Sequence, residues 1–119
     1  MFNPQSTTQR AAESEPPTEG FAQIVTRLAS EPGIQQGTGF SADPGLRADG
    51  KLFAMLRDSE LVLRLAATHA DQLVRSRRAA RFYPLGHARL AQWVAVPASQ
   101  AEIWLQTTED ALAYARGAG

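Results

Sequence analysis

The residues best suited to chemistry lie in Arg75-Ser76-Arg77-Arg78-Ala79-Ala80-Arg81-Phe82-Tyr83, four arginines running into two aromatics. Guanidinium groups neutralise phosphates and aromatic faces stack on bases, so this combination suits nucleic acid. Arg75, Arg77, Arg78, Arg81 and Tyr83 are the candidate contacts. A second reading stays open. Arginines at the end of a helix complement its dipole by about 0.3 to 1 kcal/mol each, and Phe82 and Tyr83 then serve as core and rim residues of a strand. Seven basic residues face three acidic ones between Arg57 and Arg89, yet the whole chain carries 12 of each. That balance forecasts weak nucleic-acid binding at physiological salt.

Other constellations are thinner. His69 and His87 are the only histidines, and with Asp43, Asp49 or Asp71 they show no recognised ligand spacing beyond the near neighbours His69 and Asp71. Ser59 and Ser76 lack the strand-to-helix elbow of a nucleophilic serine. Gly37-Thr38-Gly39 has no following Lys-Ser/Thr and no flanking strand and helix, so it is not a phosphate loop. No catalytic residue, metal or cofactor is therefore assigned. An alternative small-molecule or enzymatic reading places a pocket beside the sheet near Lys51, Tyr83, His87 and Trp93, where polar groups and aromatics surround a glycine-proline loop.

Composition sets the frame for these residues. The 119 residues are the size of one domain, able to bury ~60 to 70% of the unfolded-chain surface. With 44% hydrophobic and 20% charged residues, the chain reads as an ordinary soluble protein. No apolar run approaches the ~20 residues that span a bilayer, and no secretory signal opens the chain. No membrane partner and a cytoplasmic location are the expectation. With no cysteine, disulfides and thiolate chemistry are excluded.

The elements follow from periodicity. Residues 1–17 read as a disordered tail and 18–117 as a single domain. Phe21, Ile24, Val25 and Leu28 recur on one helix face, with Thr18 as its cap, and Glu31-Pro32-Gly33 stops the helix. Ile34–Phe40 alternates loosely, as an edge strand does. Asp49-Gly50 suits a type I′ turn between Leu46–Ala48 and Lys51–Leu56. Simple alternation puts Leu52, Ala54 and Leu56 on one face and Lys51, Phe53 and Met55 on the other. In Glu60–Leu65, Leu61, Leu63 and Leu65 point inward. Thr68-His69-Ala70-Asp71 resembles a capping box for a short helix, and Ser99-Gln100-Ala101-Glu102 a full box for the last one. Strands are expected over Ala80–Tyr83 and Gln92–Val96. The fold class is α+β, in the order α-β-β-β-α-β-β-α, with one antiparallel or mixed sheet of about five strands and the terminal helices on one face.

Gly39-Phe40-Ser41-Ala42-Asp43-Pro44-Gly45-Leu46 and Gly50-Lys51-Leu52-Phe53-Ala54, with the later Pro84-Leu85-Gly86-His87 and Trp93–Pro97, resemble the pattern of the TfoX/Sxy N-terminal domain. The YjbR/MmcQ group shares the glycine-lysine-x-phenylalanine-alanine hairpin. The resemblance spans roughly residues 21–116 and implies a type-III-secretion-chaperone-like fold and a loose link to competence regulation. Ser41 stands where that pattern has glycine, and the second, helical domain of full-length members is not expected in this chain. The family offers no established catalytic residues. The expected function is a non-enzymatic regulatory or interaction module with a protein partner or weak nucleic-acid contacts, as a monomer or homodimer.

Overall fold

The computed structural model describes residues 17–38, 43–82 and 92–117. Within them the order is α1 (Pro17–Leu28), β1 (Ile34–Thr38), β2 (Pro44–Ala48), β3 (Lys51–Arg57), β4 (Glu60–Arg64), α2 (Ala67–Arg75), β5 (Ala80–Arg81) and β6 (Trp93–Pro97). A 3-10 turn (Ala98–Ile103) then leads into α3 (Trp104–Ala115). All six strands form one antiparallel sheet in the order β1-β2-β3-β4-β6-β5. The α+β class holds, with six strands rather than five. Four strands rather than three precede α2, and the expected edge strand β1 is one of them: it pairs along its whole length with β2 from Ile34↔Ala48 to Thr38↔Pro44, despite its weak alternation.

Turn chemistry sets the meander. Asp49 and Gly50 both have positive φ, 51° and 85°, as a type I′ turn requires. Asp58 also has positive φ, at 56°, in the second tight turn. Leu61, Leu63 and Leu65 are fully buried on the helix-covered face, as their alternation indicated.

Alternation fails in β3. Leu46 pairs with Ala54 while Arg47 pairs with Leu52, so one extra residue bulges from β3 at Phe53. The bulge resets the pleat: Phe53 and Ala54 both join the helix-side core, and Leu52 moves to the opposite face. A period-two pattern cannot register an inserted residue.

The helices all cover one face. Phe21, Ile24 and Leu28 of α1, Ala70 and Leu73 of α2, and Trp104, Ala111, Leu112 and Ala115 of α3 pack with the sheet leucines in one cluster. The Trp104 indole donates to the Val96 carbonyl at 3.2 Å, fixing α3 to β6. On the other face Met55, Val62, Trp93 and Ala95 form a smaller cluster bordered by Leu52 and Phe82. There the Arg57 guanidinium lies 5.7 Å from the Phe82 ring centroid and 3.0 Å from the Asp43 carboxylate.

Three expected caps are replaced. Helix α1 starts at Pro17, so Thr18 lies inside its first turn; proline's fixed φ suits the first helical position. Helix α2 starts at Ala67 after Ala66, placing Thr68 in the helix rather than at its cap. The Ser99–Glu102 box does not open α3, because the backbone there runs as a 3-10 turn and Gln100 and Glu102 turn to Arg78. Apart from Pro17, the expected disordered tail lies outside the described residues.

Candidate functional site

Helix α2 presents Leu73 and Ala70 to the core and ends at Arg75. Its closure is a Schellman motif. The Arg78 amide donates to the Leu73 carbonyl at 2.9 Å and the Arg77 amide to the Val74 carbonyl at 3.1 Å. That geometry drives Arg77 to φ 64°, a conformation where glycine is the usual occupant. The Ser76 hydroxyl adds a bond to the Leu73 carbonyl at 3.2 Å.

The four arginines separate into two kinds. Arg78 is built into the fold: its Nε donates to Gln100 Oε1 at 2.8 Å and its Nη2 to Glu102 Oε2 at 2.6 Å. Arg81, on the helix side of β5, is ion-paired with Asp71 of α2. Arg75 and Arg77 are exposed and make no ion pair with a described residue. Of the four candidate arginines, two are thus held in ion pairs, and two, at the last helical residue and two positions beyond it, have no ion pair with a described residue.

Arg77 and Arg81 flank a cleft of about 410 Å³ beside the short edge strand β5. Its walls are Val74, Ala79, Ala80, Ala95 and Pro97, with Glu60 on the rim. The lining combines small apolar residues with the charged Glu60, Arg77 and Arg81, which fits an apolar side chain carried by a polar segment. Sequence reasoning found Arg77 and Arg81 but not this cleft. Its walls are mostly alanine, valine and proline, small residues that become a site only because the register brings Ala80 opposite Ala95.

The remaining candidates are dispersed. Tyr83 and His87 lie outside the described residues. Lys51 is exposed at the start of β3, while Trp93 is buried in the smaller cluster beneath the open face. Neither lines the cleft beside β5, nor the clefts at Trp104 and at Phe21. His69 sits on α2 with its Nε2 3.9 Å from Asp110 of α3, and Asp71 is taken by Arg81, so those two neighbours face different partners. No helix among the described residues is long and apolar enough to cross a membrane. No family model matches the chain, and neither does any curated protein or solved structure.

Proposed function

We propose that this protein is a non-enzymatic regulatory or interaction module, in line with its resemblance to the TfoX N-terminal domain, and that it binds a protein segment at the cleft beside β5. The observation that carries this reading is Arg77. A glycine would fill its left-handed position at lower conformational cost, yet an exposed arginine stands there at the mouth of an apolar cleft. The segment that fits carries an apolar side chain for the Ala80–Ala95 floor and a carboxylate for Arg77. Nucleic acid is the weaker partner, because Arg78 and Arg81 are committed to Glu102 and Asp71.

Affinity capture with the wild-type chain, with Arg77→Glu and with Ala80→Phe tests this. A protein retained by the wild type and lost with both variants is expected, since one reverses the charge and the other fills the cleft. Identical capture by all three chains contradicts it.

A further inference from the structure

We infer that β1 is the contact of a symmetric homodimer, in which two copies join their sheets edge to edge. The two sheet edges differ. The β5 edge is two residues long and carries Arg81, with Arg77 and Arg78 close by. Short length and charge of this kind are how edges avoid pairing. The β1 edge has none of these guards: Ile34-Gln35-Gln36-Gly37-Thr38 contains no charge and no proline, and its pairing with β2 is without a bulge. Gln35 to Thr38 are all exposed.

The hydrogen-bonding pattern is self-complementary. The Asp49 amide donates to the Gly33 carbonyl at 3.0 Å, and antiparallel alternation from that pair turns Gln35 and Gly37 towards β2. The backbone groups of Ile34, Gln36 and Thr38 point away from the sheet. Two are already used, the Ile34 amide by Glu31 and the Thr38 carbonyl by Arg47. With respect to the described residues, what remains is the Ile34 carbonyl, both groups of Gln36 and the Thr38 amide. A two-fold axis at Gln36 matches this set to itself. Each Gln36 exchanges both bonds with the partner's Gln36, and each Thr38 amide meets the partner's Ile34 carbonyl. No donor or acceptor of the set is left over, and such isologous pairing closes at two copies.

The surroundings suit a second copy as well. The Gln36 side chain lines a cleft of about 340 Å³ against Phe21, Ala22, Val25 and Thr26 of α1. None of the residues lining that cleft is charged.

The chain has no cysteine, which permits a clean test. In a hydrogen-bonded antiparallel pair the two Gln36 Cα atoms stand ~5.5 Å apart, within disulfide range. Sedimentation equilibrium of the full chain should give twice the monomer mass. Gln36→Pro, which removes an amide pointing away from the sheet, should give the monomer mass with an unchanged circular-dichroism spectrum. Under mild oxidant Gln36→Cys should cross-link quantitatively and Ala113→Cys, on the exposed face of α3, should not. If Gln36→Pro fails to fold, the cross-linking pair decides. A wild-type monomer at every concentration, as when another protein or another segment of this chain takes the edge, overturns the inference. So does a dimer that survives Gln36→Pro, or equal cross-linking of the two cysteine variants.

Discussion

The amide of Arg78 reaches back to the carbonyl of Leu73 at 2.9 Å, and this bond holds the intervening Arg77 in a left-handed conformation at the mouth of the β5 cleft. A helix terminus with this geometry ordinarily takes glycine at the Arg77 position. The arginine segment therefore combines fixed and free cations. Arg78 and Arg81 tie α2 and β5 to their neighbours, whereas Arg75 and Arg77 stand in solvent.

The conformational cost at Arg77 is measurable. Replacing it with glycine should stabilise the fold by up to about 1 kcal/mol, since the left-handed strain is removed and no ion pair with a described residue is lost. The urea midpoint of Arg77→Gly should rise while capture of the protein partner falls. A variant both less stable and fully able to bind would contradict the role given to this residue.

Arg78 should behave in the opposite way. Its side chain joins the α2 terminus to Gln100 and Glu102 of the 3-10 turn, with Glu102 largely exposed, so Arg78→Ala should cost about 1 kcal/mol. Arg75→Ala should stay within about 0.5 kcal/mol of wild type. Thermal unfolding of the two variants, measured side by side, separates a structural arginine from a solvated one.

The β3 bulge predicts an asymmetry that plain alternation reverses. Phe53 is fully buried in the helix-side core, so Phe53→Ala should cost about 3 to 5 kcal/mol. Leu52 is half-buried on the other face, and Leu52→Ala should cost no more than about 2 kcal/mol. Chemical denaturation of both variants is sufficient to check the order.

These residues also show what could be read from the sequence. The hairpin, the inward leucines of β4 and the apolar face of α1 were legible because each depends on a local pattern: Asp49-Gly50 for the turn, period two for Leu61–Leu65, and period 3.6 for Phe21, Ile24 and Leu28. The bulge at Phe53 was not legible, because an extra residue shifts pairing without changing residue types. The capping boxes misled for a related reason. Ser99 and Glu102 have the right spacing to cap α3, but a tertiary partner, Arg78, holds the Glu102 carboxylate and the neighbouring Gln100. The cleft beside β5 was invisible for want of any local signal, since Ala80 and Ala95 are 15 positions apart in sequence and opposite each other in the sheet.

Gly33 should resist a side chain for conformational reasons. Its φ is 78°, where an L side chain is strained, so Gly33→Ala should cost about 1 kcal/mol, while the Asp49 carboxylate that a Cβ would meet is the end of an exposed side chain and can turn aside. Gly37 lies inside β1 without a left-handed φ, and a Cβ there would meet only Arg47 Nε at 4.0 Å, an ordinary contact, so Gly37→Ala should remain within about 0.5 kcal/mol. Equal effects in a melting experiment would show that the left-handed conformation of Gly33 does not set the entry to β1.

The central claim is that the arginine segment serves a protein partner and the fold, with little left for nucleic acid. Titration of a DNA duplex with the full chain at low and physiological salt tests it most directly. With Arg75 and Arg77 as the free cations, the slope of log affinity against log salt should not exceed about 2, and saturable binding should vanish at physiological salt. A slope of about 4, abolished by changing Arg75, Arg77, Arg78 and Arg81 together to alanine, would contradict the account.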